Sequence, residues 1–192
     1  MLLFIPGSTL EMSEAYKDDA FSAFSPILKA TGGITLSQLS KLTGLEGSTI
    51  SNWIKRGWVV PTTGKRYSDK QVIRILLINM LRGAIKLEEI AELLRYINGD
   101  VENETDDILN DIPLYNLLVS IIYDIEATNK IGIDPDNIRS FITKAVDNYS
   151  SIHSGEIKDE KKLCDTLEIM VFGYHITQLR NSLLSKLEII YT

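Results

Sequence analysis

The segment from Ile34 to Asn98 constrains this chain most, because it carries its own stop and start signals for a run of short helices. Thr35-Leu36-Ser37-Gln38 is a capping box, in which the Thr35 hydroxyl accepts from the Gln38 backbone and the Gln38 side chain reaches back. Leu36, Leu39 and Leu42 then share one helical face, and Gly44 stands where a left-handed cap favours glycine. A second helix starts near Gly47 or Ser48, turns Ile50, Trp53 and Ile54 inward, and stops at Gly57. Trp58-Val59-Val60-Pro61 is an extended apolar exit, and Thr62 to Tyr67 a tight polar turn holding Lys65 and Arg66. A second capping box, Ser68-Asp69-Lys70-Gln71, opens a helix through Val72, Ile73, Leu76, Leu77, Met80 and Leu81 that ends at Gly83. A further helix runs from Leu87 to about Ile97, closed by Asn98-Gly99.

Alternation with period two is nearly absent, so the expected fold is mainly α, with two short wing strands. The boundaries read as an N-terminal leader helix over 1–33, a winged helix-turn-helix over 34–98, an acidic linker over 99–111, and an acidic helical domain for dimerisation or sensing over 112–192. In the leader, Ala20, Phe21, Phe24, Ile27 and Leu28 recur at helical spacing, and Pro26 is expected to end or kink that helix near Ser25. The C-terminal patterns run from Pro113 to about Asn129, from Asp134-Pro135 to near Tyr149, and from about Asp159 to Ile190 with a kink at Gly173.

Charge is distributed unevenly. The whole chain carries −6, yet residues 34–98 hold ten Lys and Arg against five Asp and Glu, a net of +5. Residues 99–192 carry −9 and the first 33 carry −2. A basic binding unit joined to an acidic partner unit has this asymmetry. The single cysteine, Cys164, forbids an intramolecular disulfide and fits a reducing cytoplasm. The short apolar run Leu2 to Ile5 is no secretory signal, and Val72 to Leu81 and Ile112 to Ile125 are interrupted by polar residues, so no membrane span is expected.

A helix-turn-helix needs a small residue where its helices cross, which Ser40 supplies, and a turn residue tolerant of positive φ, which Gly44 supplies. Ser48, Thr49, Ser51, Asn52 and Lys55 are then left outward, as donors and acceptors for phosphates or base edges. Residues 49–61, Thr49-Ile50-Ser51-Asn52-Trp53-Ile54-Lys55-Arg56-Gly57-Trp58-Val59-Val60-Pro61, resemble the signature of the MerR family that runs from recognition helix into wing. Lys65-Arg66-Tyr67-Ser68-Asp69 resembles its wing-to-helix segment, and Val72 to Leu94 its next two helices. The resemblance covers about a third of the chain. It implies a regulator that binds promoter DNA as a dimer, with contacts from the second helix and, by residue match, from Arg66 and Tyr67 in the wing. That family's Arg-Tyr-Tyr run stands here as Ser51-Asn52-Trp53, and Lys55 takes the place of the missing cation. The C-terminal half resembles a bacterial group of uncharacterised proteins built on such a head.

The expected site is therefore Ser48, Thr49, Ser51, Asn52, Lys55, Arg56, Lys65, Arg66 and Tyr67, with double-stranded DNA as partner. Tyr67 sits between wing and helix, where one ring can pack in the core, touch DNA, or do both. Trp53 and Trp58 read as core rather than stacking platforms. No enzyme, metal or cofactor is expected: His153, His175 and Cys164 have no motif around them, and Asp134-Pro135-Asp136-Asn137 lacks the glycine and terminal Glu of a calcium loop. The expected partners beyond DNA are a second copy and a small-molecule or protein effector at the C-terminal domain. A protein–protein adaptor with a winged-helix head and no DNA function is the competing class.

Overall fold

The computed structural model describes residues 4–62, 64–99, 107–128 and 134–191. Eight α-helices follow in chain order: α1 (Ser25–Thr31), α2 (Leu36–Thr43), α3 (Gly47–Lys55), α4 (Asp69–Leu81), α5 (Leu87–Asn98), α6 (Asp111–Ala127), α7 (Pro135–Ile152) and α8 (Glu160–Tyr191). Among the described residues the only sheet pairs β1 (Ile34–Thr35) with β2 (Arg66–Tyr67), antiparallel, with Ile34 opposite Tyr67 and Thr35 opposite Arg66. The fold is mainly helical. Of the expected linker, residues 100–106 lie outside the described set.

The capping signals act where the sequence places them. Thr35 caps α2 and Ser68 caps α4, each with the reciprocal bond from the glutamine three residues on. Gly44 takes φ 69° and closes α2 through its N–H on the Ser40 carbonyl. Asp134 caps α7 with Pro135 in the first turn, and Asn137 donates to it at 2.8 Å.

Helix α4 is the axis of the molecule. Every residue from Gln71 to Ile78 is buried, which is the pattern of a helix covered on all sides. It packs against α2, α5, α6 and α8, and one apolar cluster runs continuously from Ile5 to Tyr174. Arg74, one of the ten cations counted in residues 34–98, lies inside that cluster at 4% exposure. Its guanidinium Nη1 reaches both Asp111 oxygens, at 3.1 and 3.4 Å, and Nε donates to the Trp58 carbonyl at 3.4 Å. Asn98 Nδ2 donates to the same carboxylate at 2.5 Å. One ion pair thus ties the segment after α3, the end of α5 and the start of α6.

Three expectations need correction. First, the helical pattern does divide beside Ser25 as expected, but Pro26 belongs to the piece that follows the break. Ala20–Ala23 is a separate 3-10 turn, and Pro26 sits in the first turn of α1, where its missing N–H is not needed. Residues 4–24 contribute a few side chains to the core: Ile5 and Ala20 are fully buried and Phe24 nearly so. The Tyr115 hydroxyl donates to the Pro6 carbonyl at 2.8 Å, Asn79 donates to the Gly7 carbonyl at 2.8 Å, and Thr9 N–H donates to the Leu42 carbonyl at 2.8 Å. Second, the two short strands do not both follow α3. β2 pairs back to β1, ahead of α2, while Trp58 to Pro61 forms no strand and is held instead by Gln71 Nε2 on the Val60 carbonyl at 2.7 Å. Third, α8 runs unbroken through Gly173. That glycine serves close approach, since a Cβ there would lie 3.0 Å from Leu81 and Ile85.

Candidate nucleic-acid interface

Helix α3 is amphipathic by construction. Ile50 and Trp53 are buried, at 0% and 1% exposure, and Ile54 is half-buried beside them. The helical period then turns Ser48, Asn52 and Lys55 to the opposite side, and all three are exposed. Thr49 and Ser51 flank that face and are half-buried. The Ser51 hydroxyl donates to the Gly47 carbonyl at 2.8 Å, so its proton is engaged within the helix and its lone pairs are what it offers outward. A close approach between α2 and α3 falls at Gly47, where a Cβ would lie 3.0 Å from the Leu36 side chain. Glu46 precedes α3 as its N-cap residue and is exposed, so an acid stands at the end of the helix that an anion would approach.

The cations divide into free and tied groups. Lys55 and Lys65 are exposed, and so is Lys41 on α2, which the sequence reading left out. Arg56 lies 2.9 Å from Glu88 and 5.1 Å from the centre of the Trp58 ring. Arg66 is exposed but donates to the Gly33 carbonyl at 2.9 Å, bracing the β1–β2 ladder. Tyr67 is buried, at 7% exposure, and burial pushes its phenol pKa up. Its ring belongs to the core. The signals for Glu88 and for the Gly33 carbonyl were not local: both partners sit about 32 residues away from the arginines they hold.

The groups considered for chemistry are apart. His153 stacks on Tyr149 with ring centres 4.4 Å apart, and Cys164 is buried, with burial pushing its thiol up. His175 places Nδ1 3.7 Å from Glu126, while its Nε2 is buried without a hydrogen-bond partner. No hydrogen bond among the described residues joins these three, and no group of three metal-ligating side chains occurs among them. A groove of about 840 Å³ lies where the N-terminal segment meets α6 and α7, lined by Lys17, Asp18, Asn116, Phe141, Tyr149 and His153. No described helix is long and apolar enough to cross a membrane.

Burial of His175 disfavours its charged form and lowers its pKa below 6.5, against a weaker upward pull from Glu126. The unfolded chain therefore takes up this proton first. Stability from the neutral imidazole is complete above about pH 6.5 and declines as pH falls through the lowered folded value. Thermal melts between pH 7.5 and 5 are expected to show a larger loss for the wild type than for His175→Gln. Equal losses would remove His175 from the account.

Comparison with known proteins places one stretch of the chain. Residues 28–117 match the family profile for a domain of unknown function (DUF1836), from the middle of α1 into α6 and just under half of the sequence. Over 86 residues the chain is 29% identical to the uncharacterized protein YkrK of Bacillus subtilis (strain 168), covering 43% of this chain and 37% of that one. The chain thus spans little more than a third of that relative's length. No solved structure matches. This overturns the resemblance to the MerR family: the family that the chain matches is a different one, with no assigned function. The likeness rested on short segments, and it already failed at Ser51-Asn52-Trp53.

Proposed function

We propose that the chain is a sequence-specific double-stranded DNA-binding transcriptional regulator that works as a homodimer. In this reading α2, the Gly44 turn and α3 form a helix-turn-helix, and residues 58–65 act as its wing. The observation that carries it is the outer face of α3. Ser48, Asn52 and Lys55 stand exposed in one row, backed by buried Ile50 and Trp53, with no acidic side chain on the helix itself. Short polar side chains on a firmly anchored helix are suited to base edges, and Lys55 with Lys65 to phosphates. Thr49 and Ser51 supply acceptors at the margin of the face. Arg56 and Arg66 contribute once their internal partners are exchanged for phosphate, and Tyr67 acts by holding β2 in place. The groove against α6 and α7 is where an effector fits in this scheme.

The test is fluorescence anisotropy with genomic DNA fragments at several salt concentrations. Replacing Lys55 and Lys65 together by Ala is expected to flatten the log–log salt slope by about 2, as loss of two phosphate contacts does. Asn52→Ala is expected to reduce discrimination between fragments with little change in slope. No saturable binding at low salt sinks the reading. It would favour a protein–protein adaptor built on the same head, which the Arg56–Glu88 pair supports by neutralising an exposed cation and the buried Arg74 by removing one from the surface. Retention of a protein partner, with no salt-dependent DNA shift, selects that alternative.

A further inference from the structure

Helix α8 outruns the body it packs on. Up to Thr177 it alternates buried and exposed residues, with Leu163, Leu167, Met170, Val171 and Tyr174 in the core. From Gln178 to Ile190 every side chain is exposed except Leu187, which is half-buried. Most of its exposed apolar residues are nonetheless in order, with Leu184 and Ile189 outside the row. Ile169, Ile176, Leu183 and Ile190 fall seven residues apart, and half-buried Phe172, exposed Leu179 and then Lys186 take the intermediate places. Ile176, Leu179, Leu183 and Ile190 are 49, 61, 58 and 74% exposed. A seven-residue repeat with apolar first and fourth positions is the seam by which two helices pair. It runs for about 31 Å along the helix.

From this repeat we infer that the exposed seam of α8 is the surface on which a second copy of this chain docks, helix against helix. The inference rests on the homodimer of the proposed function and specifies its interface. Three observations choose this occupant. The projecting part, some thirteen residues that continue a helix held by the body, leaves Leu179, Leu183 and Ile190 in water, an apolar row that a like row covers. The exposed seam and its rim amount to roughly 600 Å² per copy, so a symmetric pair removes about 1,200 Å², the lower end of what specific stable interfaces bury. A lipid surface fits poorly, because the projecting part carries only Arg180 and Lys186 as cations, the second of them within the seam itself, with Glu188 opposed to them. The seam begins where Arg139 of α7 closes over Asp165 and Glu168, at 2.8 and 2.5 Å, so its upper limit is set by the chain itself.

The experiment is sedimentation equilibrium on the full chain from about 1 to 100 μM, with far-ultraviolet circular dichroism as a check on folding. The wild type is expected to be dimeric, and Leu179→Asp/Leu183→Asp to be monomeric with an unchanged thermal transition of the body. Two desolvated carboxylates in the seam are expected to weaken association at least 100-fold. Asn181→Asp, on the far side of the helix, is expected to leave the dimer intact. A wild type that stays monomeric throughout the range, or a double variant that remains as dimeric as the wild type, overturns the inference. So does a wild type that partitions onto anionic vesicles while staying monomeric. DNA anisotropy on the same samples separates the two claims: a dimer without DNA binding fails only the function, and saturable DNA binding by a monomer overturns the seam and the homodimer while DNA binding stands.

Discussion

Arg74→Ala is expected to lower the unfolding free energy by about 3–5 kcal/mol, the usual consequence of leaving one partner of a buried ion pair alone. The removed guanidinium holds Asp111 and the Trp58 carbonyl at once, and Asp111 keeps only Asn98 when it goes. Both charges are sequestered, with side-chain exposures of 5 and 19%. The Asp111→Asn exchange leaves the guanidinium uncompensated and is expected to destabilise similarly. A combined Arg74→Met/Asp111→Leu chain is expected to recover most of the loss, because an apolar pair of similar volume incurs no desolvation penalty. Urea unfolding of the four chains measures this. Additive losses in the double variant would show that the pair acts through something other than mutual compensation.

Gly7→Ala is expected to be nearly as severe, at about 3 kcal/mol. Two costs combine. Gly7 has φ 79°, a left-handed conformation that disfavours an L side chain by about 1–2 kcal/mol. Its missing Cβ also faces the Leu76 backbone, where a methyl group overlaps the carbonyl and the central helix has no room to retreat. Overpacking of this kind costs typically 1–3 kcal/mol. Gly32→Ala is the matched control: it too has positive φ, at 64°, but open space around the added atom. A Gly7 variant no worse than the Gly32 variant would mean that the N-terminal segment does not seat against α4 as described.

What was legible in the sequence was local. Thr35 with Gln38, Ser68 with Gln71, Gly44, and Asp134 with Pro135 act within four residues of themselves, and each does in the fold what its spacing predicts. The outward face of α3 was legible for the same reason, since burial of Ile50 and Trp53 settles where Ser48 and Asn52 point. What escaped was decided at long range. Nothing near Gly7 announces Leu76, and nothing near Arg74 announces Asp111, so one falls in the leader of the sequence reading and the other is only one cation among ten. The surroundings of Arg66 and Tyr67 were set at the same range: the pairing of β2 with β1 turns the tyrosine inward and gives the arginine a carbonyl to hold. The family likeness misled because short ordered segments of head and turn were weighed without the rest of the chain. The stretch that does match runs on through α5 into α6.

The seating of the N-terminal segment also sets an order of events in time. Phe21 N–H is held by Asn116, 95 residues later in the chain, and Pro6 by Tyr115, 109 residues later. A ribosome adding about 5–20 residues per second delivers α6 some 5–20 s after that segment has emerged. For that interval Ile5, Phe21 and Phe24 have no permanent place, however early α2 and α3 form. The newborn chain therefore carries these apolar side chains uncovered until α6 emerges, and over that interval they offer a chaperone a hold.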